Sequence, residues 1–428
     1  MKITYITHAC LLIEINKIKI LTDPWLTGPS WGGSLWHYPS HNYSPLNLPT
    51  PDIIFFSLGH DDHFHEETIS NFPKKWFHSR IIAPKFNVVL WESELQKKFK
   101  KTLFLKHNEI YKISRNLQLQ MFLNDSGDFD SSIKIKNSNN CIFLQTDNLL
   151  SEKEAHRISK IDKIDLAFVI PFLTGVFPGF YKWDSDTLIK LSNEKIQKSL
   201  IYCSKIVKNL KTKYTIPYAC DLGYLGENFH INLIHRHNKK DLVNILKEKK
   251  IKTKPIILGS GDWIKLYKKK IGIDQKNAKK YNETESLIKF SNDTQKEYIK
   301  YQLKEKKLIK PNYNKIIKQF TNNLKRNIKK IERFNFITSI NIKEGKNDKF
   351  IIINFQDKKI YVSDKNIKNQ NLNVQIQSYK IRNLLLSKYP MNFLTFHNGG
   401  YSCERKLTNL TSNEKKYWSW INELDFFI

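Results

Sequence analysis

The segment Ser57-Leu58-Gly59-His60-Asp61-Asp62-His63-Phe64-His65 packs imidazoles and carboxylates directly behind the apolar run DIIFF at 52–56. Polar groups delivered by the end of a buried strand cost free energy unless something pairs with them. At this spacing His60, Asp62 and His63 are the ligand types of a borderline divalent ion, zinc, iron or manganese. Such an ion lowers the pKa of a bound water, and a neighbouring carboxylate such as Asp62 orients the resulting hydroxide. The competing reading is a polar strand-to-helix loop in which His63 caps a helix that starts near Glu66.

The elements that must position these residues are legible as short β-branched runs bounded by turn residues. Strands are expected at Ile3–Ile6, Leu11–Ile15, Lys17–Leu21, Asp52–Ser57, Ile81–Ala83, Thr102–Leu105, Leu117–Phe122, Ile133–Ile135, Cys141–Gln145, Leu166–Ile170 and Tyr214–Ile216. Asp52–Ser57 is apolar throughout, as suits a strand covered on both faces. Helices are expected at Glu66–Asn71, Ser185–Lys211 and Asp241–Lys247, and Asp23–Pro29 (DPWLTGP) must be a loop. Strand groups broken by helices, with ligand-type residues at strand ends, fit a layered α/β architecture. Residues 265–335 are rich in Lys, Glu and Asn and read as helices with charged outer faces. From 335 onward the pattern becomes strand, strand, strand, helix (379–388), strand (391–397). The expected division is 1–270, a charged helical connection at 271–334, and a small α+β unit at 335–428.

The motif resembles the His-x-His-x-Asp-His signature of the metallo-β-lactamase superfamily, with His60, Asp62 and His63 on its last three positions and Leu58 where the first His belongs. ITHACLLIEINKIKILTDPWLTG resembles the opening of the lactonase and phospholipase branch. DPWLTGPSWGGSLWHYPS followed by PDIIFFSLGHDDHFHEETI resembles the catalytic region of the CMP-N-acetylneuraminate hydroxylase family. CIFLQTDN, IPFLTGVFPGFYKW and IPYACDLGYLGENFH resemble later stretches of that family in the same order. The resemblance implies an αββα sandwich with a small C-terminal α+β domain. It implies Asp147 (with Asn148 as the lesser candidate) and His230 as further metal ligands, His8 near the substrate, and Asp23 orienting a ligand from behind. Two histidines of the superfamily's other metal position are missing, Leu58 standing for one and NDSGDFDS (with Asp125 and Asp128) for the other, so a single ion is expected. His60 or His8 is then available as a proton shuttle.

Other residues carry weaker signals. Trp25, Trp31, Trp36 and Tyr38 share one Gly/Pro-rich loop and read either as a wall for a sugar, base or acyl chain or as loop packing. His235 and His237 lie on a basic loop and read as exposed or phosphate-contacting, and His65 as pointing away from the motif.

Composition sets the outer bounds. The formal net charge is +30, but the lysines are spread along the whole chain in a Lys/Asn/Ile-rich composition. That favours an anionic small-molecule substrate over a nucleic-acid partner. Five cysteines occur without CxxC spacing, which points to a reducing cytoplasm rather than a disulfide framework. No apolar run reaches the roughly 18 residues of a transmembrane helix.

Two reactions suit these residues: metal-dependent hydrolysis of an ester, lactone, amide or phosphodiester, and iron-dependent hydroxylation of an N-acyl nucleotide-sugar. The second needs electrons from a Rieske cluster, whose ligands come as Cys-x-His pairs. No cysteine here is followed two positions later by histidine, so the donor would be a separate ferredoxin or Rieske protein. A metal-poor scaffold is the non-enzymatic alternative.

Overall fold

A computed structural model describes residues 1–86, 89–124, 129–172, 178–234, 238–268, 270–278, 284–309, 312–345, 347–378, 381, 401–404 and 412–422. Among these residues two large sheets stack face to face. One runs, edge to edge, Lys270–Asp274, Trp263–Tyr267, Lys2–Thr7, Cys10–Ile15, Ile18–Thr22, Ile53–Phe55, Arg80–Pro84 and Thr102–Leu105. The other runs Lys254–Pro255, Tyr214–Pro217, Leu166–Val169, Cys141–Leu144, Ser131–Asn137, Leu117–Leu123 and Ile110–Ser114.

Alternation decides what each strand buries. Ile53 and Phe55 face the second sheet and join Ile3, Ile13, Ile133 and Phe168 in the inter-sheet core. Their neighbours Ile54 and Phe56 face outward onto Phe64, Ile69, Trp76 and Leu95. On the far side Phe143, Ala167 and Val169 pack under the helices Ser185–Leu210 and Lys239–Glu248 through Cys203, Val207, Leu242 and Leu246. The layers are therefore helix, sheet, sheet, helix: the metallo-β-lactamase-type αββα sandwich. Ile53–Phe55 pairs in parallel with Ile18–Thr22 and Arg80–Pro84, so it lies inside its sheet and must be apolar on both faces.

Several strands escape sequence reading. Ile110–Ser114 is an edge strand with alternate residues exposed. Trp263–Tyr267 and Lys270–Asp274 form a hairpin that carries the first sheet to Asp274, past the boundary expected at 270. The charged stretch behind it is not simply solvated. The helix Thr284–Ile309 buries Leu287 and Phe290, and Tyr313–Ile328 buries a full apolar face including Ile316, Ile317, Phe320 and Leu324.

That second helix packs on a further sheet ordered Lys359–Ser363, Lys349–Asn354, Ile337–Lys343, Leu372–Gln377, Tyr401–Glu404, with Tyr417 and Trp420 of Ser412–Asn422 completing its core. The elements expected at 379–388 and 391–397 lie, but for Ile381, outside the described residues. The C-terminal core is continuous with Trp25, Trp31, Tyr181 and Tyr224 of the sandwich, and the Tyr181 hydroxyl donates to the buried Glu414 carboxylate at 2.7 Å. No helix among the described residues is long and apolar enough to cross a membrane.

Phe320 is completely buried in this shared core. Phe320→Ala should cost about 3–5 kcal/mol in a denaturant titration, whereas Lys318→Ala on the exposed face should change stability by less than about 0.5 kcal/mol.

Candidate metal centre

The site sits where strand ends from both sheets meet. His8 follows Lys2–Thr7, Asp23 follows Ile18–Thr22, His60 to His63 follow Ile53–Phe55, and Asp147 lies just beyond Cys141–Leu144. His8, Asp23 and Thr146 have left-handed backbone, with φ of 44°, 36° and 54°. For non-glycine residues that conformation costs about 1–2 kcal/mol each, and here it turns the chain so that side chains converge. Hydrogen bonds offset it. The His8 carbonyl accepts from the Ala219 amide at 3.0 Å and the Tyr5 hydroxyl at 3.1 Å, and the Thr146 amide donates to the Tyr218 hydroxyl at 2.9 Å.

His8, Asp62 and His63 are buried and each presents a ligand atom within 4.8 Å of the others. His8 Nε2 lies 3.2 Å from Asp62 Oδ2. His63 Nε2 lies 3.3 Å from Asp147 Oδ2 and 3.9 Å from Asp62 Oδ2, yet has no hydrogen-bond partner. A buried imidazole nitrogen left unbonded while facing two carboxylates is where a cation satisfies all three groups. Two imidazoles and one or two carboxylates suit a single divalent ion.

The opposite face of the His63 ring explains its aim. His63 Nδ1 lies 3.1 Å from Asp23 Oδ2. Asp23 is itself held by the Ser57 amide and the Ser57 hydroxyl, each at 2.7 Å. A carboxylate behind a ligating histidine sets its tautomer and orientation. Asp62 is held similarly: the Trp31 indole N–H donates to its Oδ1 at 2.9 Å, and the Trp31 amide donates to Asp61 Oδ2 at 2.5 Å.

Charge balance follows. Burial pulls the His63 pKa down, but Asp147, Asp62 and Asp23 together leave it well above the ordinary imidazole value. Burial likewise opposes ionisation of Asp62, and His63 and His8 outweigh it, so Asp62 is held below the ordinary range. Asp147 is depressed further, burial again being outweighed by His63 and His60. His60, half-buried, has its Nδ1 3.6 Å from Asp147 Oδ2. Desolvation is overcome by Asp147, Asp130 and Asp62, leaving its pKa raised.

The structure thus brings together His8, Asp62, His63 and Asp147, with His60 against Asp147. His8, which the resemblance implies near the substrate, stands here among the candidate ligands. His230 is not in the converging group; its Nε2 lies 3.2 Å from the Gly179 carbonyl. Asn148 turns away and donates to the Phe122 carbonyl at 3.2 Å. His65, not His63, caps the helix Glu66–Ser70, accepting from the Thr68 amide. Leu58 is fully buried where a ligand would stand in the complete motif.

The aromatic loop is not an open wall. Trp25, Trp31, Trp36 and Tyr38 are all buried. Trp25 lies against the rings of His8, His37 and His65, and Trp36 against Tyr298 and Tyr301 of the long helix. That helix covers Trp36 and Tyr38 and the C-terminal core covers Trp25 and Trp31, which no local pattern reveals. Trp31 as the residue orienting Asp62 was missed for the same reason. Asp125, Asp128, His235 and His237 lie outside the described residues.

Residues 2–151 match a family described as a beta-lactamase superfamily domain. Over that stretch the chain is similar to this superfamily. The cytidine monophosphate-N-acetylneuraminic acid hydroxylase of Danio rerio is 35% identical to the chain over 75 residues, 17% of this chain and 12% of that protein. The enzyme of the same name from Cricetulus griseus is 24% identical over 270 residues, 60% of this chain and 44% of its own length. The matches therefore span less than half the length of either relative. Among solved structures, a CmlA beta-hydroxylase variant aligns with a TM-score of 0.44 and 16% identity, over 62% of this chain and 54% of that one. The matched residues include His8, Asp23, Asp62, His63 and Asp147, and His230 lies beyond them.

Asp23→Asn keeps the shape behind His63 and removes the charge; divalent-metal affinity by calorimetry should fall about 10–100-fold. The raised His63 pKa means that the metal-free site holds a proton at neutral pH, which a ligating nitrogen must release. Metal affinity should therefore rise with pH from about 6 to 8, with proton release seen as a buffer-dependent binding enthalpy.

Proposed function

We propose that this chain is a metal-dependent enzyme that holds one divalent ion at His8, Asp62 and His63, with Asp147 as fourth donor, and hydroxylates an anionic N-acylated nucleotide-sugar. The observation that carries the reading is the convergence of two imidazoles and a carboxylate on one buried point. Two histidines and one carboxylate with open positions are the ligand set of non-haem iron oxygenases. The names of the relatives, hydroxylases of cytidine monophosphate-N-acetylneuraminic acid, support the substrate class.

Bound iron would supply dioxygen activation: one oxygen atom enters a substrate C–H bond, and the other leaves as water with two protons and two electrons from an external reductant. The chain's own residues do the rest. Asp23 and Trp31 hold His63 and Asp62 in place. Leu58 and Trp25, both buried, keep bulk water from the inner side. His60 stands on the more exposed side against Asp147, where the neighbouring carboxylates raise its pKa and so favour the form that can donate a proton. The electron donor is a ferredoxin or Rieske centre outside these residues, which carry no Cys-x-His pair.

A hydrolytic reading draws on Asp147, which stays ionised beside the site and can orient a metal-bound water or hydroxide. Zinc or manganese at the same donors would serve it.

Metal analysis of untagged protein discriminates. About one equivalent of iron, lost in Asp62→Ala, with reductant-dependent hydroxylation of an N-acyl nucleotide-sugar, is the expected result. Zinc or manganese with ester or lactone hydrolysis and no hydroxylation would replace it with the hydrolytic reading. No metal uptake after reconstitution with all three ions would overturn both.

A further inference from the structure

The helix Tyr313–Ile328 and the strand Lys359–Ser363 border an open cleft of about 1390 Å³ remote in sequence from every residue of the metal centre. Its helical wall carries Lys315, Lys318, Lys325, Arg326 and Lys329. These recur at spacings of three, four and seven, which stacks them on one face of the helix. Lys358 and Lys359 face them from the strand side. No Asp or Glu is among the lining residues. Lys358 bonds the Lys329 carbonyl at 3.1 Å and Arg326 bonds the Asn323 side chain, so both walls are tied into the fold.

A composition-wide excess of lysine distributes cations over the surface; it does not gather seven of them around one concavity without a carboxylate. Like charges held this close repel, and the arrangement costs stability unless a polyanion enters. Three features define that polyanion. Tyr361, 47% exposed, is among the residues lining the cleft and is its one aromatic side chain. Gln319 and Asn322 add amide groups that both donate and accept. The cleft is concave, so a flat bilayer cannot reach its floor.

We propose that this cleft binds single-stranded nucleic acid, its phosphates tracking the lysine stripe and a base stacking on Tyr361. Cationic grooves with an aromatic platform are the general means of holding single strands. From Lys315 to Lys329 the helix rises about 21 Å, the length of about six stacked nucleotides. The inference is independent of the metal centre and its reaction.

The test is fluorescence anisotropy of a labelled single-stranded RNA of about 12 nucleotides titrated with the whole chain between about 50 and 200 mM salt. Wild type should bind with a log–log salt slope of about −0.7 per phosphate contacted. Lys318→Glu/Lys325→Glu/Lys359→Glu should weaken binding at least tenfold and make the slope shallower by about 2. Tyr361→Ala should weaken it about tenfold and leave the slope unchanged. A thermal melt and metal uptake equal to wild type show that the variants fold. Wild-type affinity in both variants would overturn the proposal. So would polyglutamate or phosphatidylserine vesicles binding as tightly as RNA and losing as much in the variants, because the cleft would then read only negative charge.

Discussion

The buried contact of His63 with Asp23 is the constraint on which the site depends. An imidazole and a carboxylate removed from water are tolerated only when each is paired. Asp23 is paired three times over, with His63 Nδ1, the Ser57 amide and the Ser57 hydroxyl. Because Ser57 and His63 belong to one segment and Asp23 to another, these bonds lock two neighbouring strand ends together. They also leave only His63 Nε2 to face outward, toward Asp62 and Asp147. Everything else in the centre is arranged around that nitrogen.

The second sheet supplies the other half. Asp147 reaches the centre because Thr146 bends the chain in the left-handed region, and Tyr218, at the end of a strand two places away in the same sheet, holds the bend. His8 is turned the same way and held by Tyr5 and Ala219. Unfavourable backbone at these points is sustained by hydrogen bonds from both sheets, as expected where geometry serves a site. The proposal of a single ion rests on the residues that are missing as much as on those present. Leu58 is a fully buried apolar residue, and His60 lies against Asp147 instead.

The C-terminal unit is not an independent appendage in this arrangement. Its core runs into Trp25 and Trp31, so the indole that orients Asp62 is packed from behind by residues three hundred positions later. The long helix Thr284–Ile309 closes over Trp36 and Tyr38 in the same way. Stability of the second unit and geometry of the centre are thereby linked through one loop.

The αββα layering was readable along the chain because parallel interior strands must be apolar on both faces, and runs such as Ile53–Phe56 admit no other placement. The cluster His60-Asp61-Asp62-His63 was readable because its residues are neighbours in sequence and share one strand end. Asp23 and Asp147 were readable only through their flanking motifs, since nothing in an Asp-Pro turn or a TDN turn states what it faces. Tertiary structure alone decided the remainder. His8 became a candidate ligand because its strand lies three places from the one bearing His63, in the same sheet, and the backbone bend aims the ring there. His230 was drawn to the Gly179 carbonyl because the turn and short helix around it set its direction. The aromatic loop was buried because helices distant in sequence cover it. Local pattern records what a residue wants to be near; only the folded chain settles which neighbour arrives.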